Sequence, residues 1–117
     1  MNETDKRDIF DRRLAVPSRD GVFFFNLDEI LRLEADRNYT IIHLKNRRSF
    51  IASKTLKYFS EKLVRYNFIR THKSHLVNRV YVEKINNTFE YLILSDGSRI
   101  EVSRRKRDEV QELLNII

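Results

Sequence analysis

Leu92-Ile-Leu-Ser-Asp-Gly-Ser-Arg-Ile-Glu-Val102 is the stretch whose reading decides the fold class. Asp-Gly between two apolar arms is the strongest short-range signal of a β-hairpin, because a tight turn needs positive φ and glycine adopts it without steric penalty. Outward from this hairpin the apolar residues come in bursts of strand length, at 22–25, 30–33, 39–44, 50–52, 68–69, 80–85, 89–94 and 100–102, rich in β-branched and aromatic side chains. A mostly β domain is expected.

Two segments carry a different period. Leu56, Phe59 and Leu63 recur at i, i+3 and i+7, with Ser53 where an N-cap would stand, and predict one amphipathic helix over 55–65. Val110, Leu113, Leu114 and Ile117 repeat that spacing after Ser103 and predict a C-terminal helix. Residues 72–78 are ambiguous and leave room for a single helical turn. Residues 1–19 are highly charged and hold the single proline, Pro17, so they read as a tail or linker, with the domain proper over 20–117.

At 117 residues the chain has room for one core, large enough to stand without a metal or disulfide staple. It has no cysteine, which excludes a disulfide framework, a thiolate zinc site, an iron–sulfur cluster and a cysteine nucleophile. Its two glycines, Gly21 and Gly97, are too far apart for a phosphate-cradling glycine loop. No apolar run approaches the ~20 residues of a membrane span, and the first 20 residues lack a signal-peptide core, so a cytoplasmic location without membrane contact is expected.

Net charge is +6 with a sequence pI of 9.8. Its distribution is more telling than its sum, for between His43 and Lys84 eleven basic residues face two acidic ones, a local excess of +9. Composition alone leaves two readings open, a solvated basic face and a nucleic-acid surface.

Three constellations carry candidate chemistry. Arg104, Arg105, Lys106 and Arg107 place four cations where the second helix starts, a position whose partial positive charge favours anions, and Lys54 and Lys57 do the same more weakly at the first helix. An external phosphate on free helix N–H groups, flanked by arginine, would remove that conflict. Residues 68–75 gather Arg70, His72, Lys73, Ser74 and His75 where a strand ends. A metal at His72 and His75 lacks further ligands at suitable spacing, and a Ser74–His72 hydrolase lacks a glycine-built oxyanion turn, so imidazole donating to phosphate, or a structural histidine, is the expected use. Residues 34–40 form a polar corner that offers Arg37 and Asn38, side chains shaped for bidentate pairing with guanine and adenine, although an ordinary turn would look the same.

In order along the chain, Glu34-Ala-Asp-Arg-Asn-Tyr-Thr40, Ser53-Lys-Thr-Leu56, Phe68-Ile-Arg-Thr-His-Lys-Ser-His-Leu-Val-Asn78, Ser95-Asp-Gly-Ser98 and Val102-Ser-Arg104 resemble the LytTR DNA-binding domain of bacterial response regulators. The likeness runs from about Arg19 to Ile117. It implies a compact, elongated fold of about ten strands in small sheets with short helices, which binds double-stranded DNA by loops instead of a recognition helix. It further implies direct-repeat sites, two copies per site, and a receiver domain in the full-length regulator. Carried over by position, Asn38, Lys73 and Arg104 contact bases, while Arg37, Lys54, Lys57, Arg70, His72, Ser74 and Arg105 contact the DNA backbone. Asn78 is expected to hold its loop through backbone hydrogen bonds. Lys73 stands where the family often has arginine or asparagine, and as a point charge without a bidentate fork it is better suited to phosphate.

The expected function is sequence-specific binding of duplex DNA in transcription regulation, within a two-component system, with no enzyme activity, cofactor, metal or small-molecule substrate. The leading alternative is an RNA or single-strand binder that stacks bases on Tyr39, Tyr58, Phe59, Tyr66 and Tyr81. A protein-interaction module without nucleic acid is the third reading, and it leaves the cationic helix starts unexplained.

Overall fold

The computed structural model describes residues 9–10 and 12–116. Among them, strands β1 (Ile9–Phe10), β2 (Arg13–Ser18) and β3 (Gly21–Asn26) form one antiparallel sheet. Strands β4 (Ile30–Asp36), β5 (Tyr39–Leu44), β6 (Ser49–Ala52), β7 (Phe68–His72) and β8 (His75–Asn78) form a second sheet in the order β6-β5-β4-β8-β7. Strands β9 (Val82–Ile85), β10 (Tyr91–Leu94) and β11 (Arg99–Glu101) form the third. Helix α1 (Leu56–Leu63) joins β6 to β7, and α2 (Arg107–Leu113) follows β11. The fold is mainly β with two short helices, as the apolar bursts imply.

The Asp96-Gly97 hairpin forms as expected. Leu92 lies opposite Ile100, and Gly97 takes φ +85°, where a Cβ would be strained. The Asp96 carboxylate accepts the Ser98 N–H at 3.0 Å and fixes the turn.

Alternation along β7 and β8 builds two cores on opposite faces of the central sheet. Phe68 and Leu76 point to one face, where Leu33 and Ile42 meet Leu14 and Val16 of β2 and Leu56, Phe59 and Leu63 of α1. Their neighbours Ile69 and Val77 point to the other face, against Leu92, Leu94, Ile100, Val102 and Val110. Each large apolar side chain buried this way contributes roughly 1.5–3 kcal/mol. The central sheet is therefore clamped between α1 with the first sheet and α2 with the third.

Three local expectations are corrected. Residues 13–18 are not a tail: they form β2, with Leu14 and Val16 fully buried, while residues 1–8 and 11 lie outside the described part. Pro17 fits because a residue's N–H and C=O project to the same side of a strand; its carbonyl accepts from the backbone N–H and the hydroxyl of Ser53, so β3 loses no donor. The cap of α1 is Thr55, whose side chain accepts the Tyr58 N–H at 3.3 Å, instead of Ser53. Residues 72–78 hold no helical turn, since β7 and β8 are joined by a tight turn at Lys73 and Ser74; a 3-10 turn follows only after β8, at Arg79–Tyr81. Asn78 caps that turn, and its amide donates to the carbonyls of Leu27 (3.3 Å) and Ile30 (3.0 Å), so its backbone hydrogen bonds clamp the Arg79–Tyr81 turn to the start of β4 instead of holding the loop at residues 72–74.

Candidate nucleic-acid interface

Strand direction gathers four separate segments at one end of the central sheet. The β4–β5 turn closes on the Asp36–Tyr39 pair, β6 runs out opposite Thr40 at Ala52, and β7 and β8 turn at the His72–His75 pair beside Glu34. Hydrogen bonds tie these ends together. The Thr40 hydroxyl donates to the Lys54 carbonyl at 2.8 Å, the Ala35 N–H to the Ser74 carbonyl at 2.9 Å, and the Ser103 N–H to the Thr71 carbonyl at 2.8 Å. Residues 37–38, 53–57, 72–74 and 103–105, distant in sequence, thus form one edge.

Arg37 and Asn38 fill the two-residue β4–β5 turn and are both exposed. Arg37 holds φ 57°, a left-handed conformation that costs an ordinary side chain about 1 kcal/mol. Lys54 and Lys57 are exposed at the start of α1, whose first turn holds no acid. Lys54 Nζ lies 5.3 Å from the centre of the Tyr58 ring, a cation–π contact at the protein surface.

In the β7–β8 turn Lys73 is exposed and His72 and Ser74 are half-buried. The Ser74 N–H donates to His72 Nδ1 at 3.0 Å. Arg70, expected to contact DNA backbone, is half-buried and turned inward, with Nε donating to the His72 carbonyl at 2.9 Å and Nη2 to the Lys73 carbonyl at 2.7 Å. Two of its donors are thereby committed to the loop itself.

Arg104 and Arg105 are exposed in the 3-10 turn Arg104–Lys106 that precedes α2. The expected four-cation helix start is corrected here, because Lys106 pairs with Glu109 at 3.2 Å, Arg107 with Glu90 at 3.7 Å, and the first turn of α2 carries Asp108 and Glu109. Only Arg104 and Arg105, among those four, lack an acidic partner within 4.0 Å among the described residues.

The basic window of the sequence divides in space. Lys54, Lys57, Arg70 and Lys73 belong to the loop end, whereas Lys45, Arg47 and Arg48 join β5 to β6, Arg65 precedes β7 and Arg79 follows β8, all at the far end. Loop-end charge is restored from outside the window by Arg37, Arg104 and Arg105.

Behind the loops, on the face of the sheet opposite Leu33, Glu34 Oε1 accepts from His43 Nε2 at 2.9 Å and lies 3.5 Å from Arg32 Nη1. Burial pushes its carboxyl up, but the bond from His43 and the Arg32 charge outweigh that and hold it below the usual carboxylate range. Glu34 is thus neutralised internally and does not oppose an anion at the loops. Burial beside His72 and Arg32 pushes His75 below the usual imidazole range despite Glu34. Sequence reading missed this trio, although hairpin parity, which puts Arg32, Glu34 and His43 on one face, contains it. The His72 and His75 rings are 5.4 Å apart, but no group of three or more potential metal ligands forms among the described residues.

The aromatic residues read as stacking candidates are dispersed, with Tyr39 exposed beside the β4–β5 turn. Phe59 is buried in the core, the Tyr58 ring is covered by Lys54 and Lys62, and Tyr81 at the far end carries Lys45 on its ring and donates its hydroxyl to the Asp28 carbonyl. No described helix is long and apolar enough to cross a membrane.

Exposed arginine, lysine and asparagine from four loops thus meet at one end of the central sheet. Residues 20–115 match the LytTr DNA-binding domain family. The chain belongs to that family of DNA-binding domains. The fold matches, with a TM-score of 0.76 at 23% identity, the LytTr DNA-binding domain of a putative methyl-accepting/DNA response regulator from Bacillus cereus, covering 91% of this chain and 99% of that one. The sensory transduction protein LytT of Bacillus subtilis is 42% identical over 72 residues, 58% of this chain and 30% of its own length. The sensory transduction protein LytT of Bacillus cereus is 28% identical over 109 residues, 89% of this chain. This chain spans 43% of that relative's length.

Proposed function

We propose that this chain is the sequence-specific, double-stranded DNA-binding part of a bacterial transcriptional regulator of the two-component type, acting in the cytoplasm. Asn38, Lys73 and Arg104 meet base edges, and Arg37, Lys54, Lys57, His72, Ser74 and Arg105 meet backbone phosphates. Two copies occupy a pair of direct repeats, and a receiver domain is the partner in the full-length regulator. The observation that carries this reading is the set of hydrogen bonds that binds residues 37–38, 53–57, 72–74 and 103–105 into one cationic edge. Fixed spacing between loops is what successive grooves of a stiff duplex require, because phosphate contacts set register and base contacts set sequence.

Lys54→Ala and Arg105→Ala test the phosphate part. Each removes one cation that has no acidic partner among the described residues. Each is expected to weaken all duplexes alike and to reduce the slope of log affinity against log salt by about 0.9, with the melting temperature unchanged. Lost thermal stability with undiminished duplex affinity would make these residues structural and remove them from the interface.

A further inference from the structure

We propose that Arg70 is a positioning residue that fixes His72 as an N–H donor, acting through a single peptide plane. The peptide between Lys73 and Ser74 presents its carbonyl to Arg70 Nη2 at 2.7 Å and its N–H to His72 Nδ1 at 3.0 Å. In a planar trans peptide these two groups point in opposite directions, so holding one aims the other. The preceding peptide is pinned too, through the His72 carbonyl on Arg70 Nε at 2.9 Å. A ring nitrogen that accepts a backbone N–H carries no proton, so in the neutral imidazole Nε2 must carry it. His72 is thereby set as a donor, the form that suits a phosphate oxygen or a purine N7.

This locks chemistry as well as shape. The Ser74 carbonyl accepts the Ala35 N–H, so the same turn also anchors the loop of Arg37 and Asn38. The lysine of this turn, Lys73, projects from a peptide pair held on both sides by one guanidinium. An arginine suits the task because its planar fork offers several donors at fixed angles, which a lysine ammonium does not.

The use of His72 on DNA rests on the function proposed above, whereas the relay itself is measurable in the free protein. Nitrogen-15 spectra are recorded at a pH where the imidazole is neutral, for the wild type, Arg70→Met and Arg70→Lys. The wild type is expected to show nitrogen–nitrogen coupling across the hydrogen bond from the Ser74 amide to His72 Nδ1, with the proton on Nε2. In Arg70→Met that coupling is expected to vanish while amide signals outside residues 70–75 stay in place. Persistence of the coupling in Arg70→Met would overturn the proposal. If that variant does not fold, Arg70→Lys decides, since one ammonium cannot reproduce both bonds and a coupling as strong as the wild type's would overturn it equally. Duplex titrations form the second arm: Arg70→Met is expected to lose about two- to tenfold in affinity, the worth of one neutral hydrogen bond, without change of salt slope. In a His72→Ala background the same change is expected to cost clearly less, leaving only what the placing of Lys73 contributes. A salt slope reduced by about 0.9 would show Arg70 to be a phosphate contact, and a full loss in both backgrounds would disconnect it from His72; either overturns the relay. A wild type that binds no duplex would sink the proposed function and leave the coupling measurement to judge the relay.

Discussion

Phe59→Ala is expected to destabilise the domain by about 3–5 kcal/mol, the range for emptying the site of a fully buried phenylalanine. Phe59 is 0% exposed and lies where α1 packs on the central sheet, among Leu56, Leu63, Leu33 and Leu76. The loss combines transfer of the ring to water with a cavity that the rigid sheet cannot collapse to fill. A domain of this size has roughly 5–15 kcal/mol in all, so the variant loses a large part of its folded population only if the wild type sits at the bottom of that range. Urea unfolding reads the effect as a shift of midpoint at constant slope. A change under 1 kcal/mol would mean that α1 is not held by this core, and then Lys54 and Lys57 would not be held at the loop edge either.

Arg104→Lys is expected to cost about 1–3 kcal/mol on the preferred duplex and to relax preference at a single base pair. Arg104 is exposed, and its backbone is fixed by the Ser103 N–H bond to the Thr71 carbonyl on one side and by the 3-10 turn on the other. A guanidinium on such a base can hold a direction, and its fork matches the O6 and N7 acceptors of guanine. Lysine keeps the charge and loses the fork. A phosphate contact would therefore make the substitution nearly neutral, and a uniform loss across all base-pair variants would reassign the reading to Asn38, Lys73 or DNA shape. Affinities of the variant for the preferred site and for each single base-pair change separate these outcomes.

Much of this was legible in the residues. The Asp96-Gly97 hairpin, the burst at 39–44 and the i, i+3, i+7 spacing of Leu56, Phe59 and Leu63 each reflect local physics, a turn conformation or a period, and each appears in the structure. Strand β2 was hidden because Leu14 and Val16 alternate correctly but stand among charged residues and before a proline. The tolerance for Pro17 depends on Ser53, 36 positions away, which no local window contains.

For the loop edge, the sequence identified cationic segments but not which end of the sheet each would occupy. That depends on strand direction: Lys45 and Lys54 are nine positions apart and lie at opposite ends because β6 runs between them. Ion pairing has the same non-local character. Nothing in Arg104-Arg105-Lys106-Arg107 alone separates the two arginines without acid partners among the described residues from the two cations held by Glu109 and Glu90. Arg70 is the sharpest case, since the sequence shows a cation in a basic loop but not that the carbonyls of its own turn lie on its guanidinium.

The central claim is spatial, that duplex DNA is held by the edge where these four loops meet. Amide spectra of the labelled domain, followed during titration with a duplex selected from a random pool, test it most directly. The largest shifts are expected at residues 36–39, 53–57, 72–75 and 103–105, with residues 45–48 and 79–81 at the far end unmoved. Shifts concentrated at the far end, or spread evenly over both ends, would contradict the account.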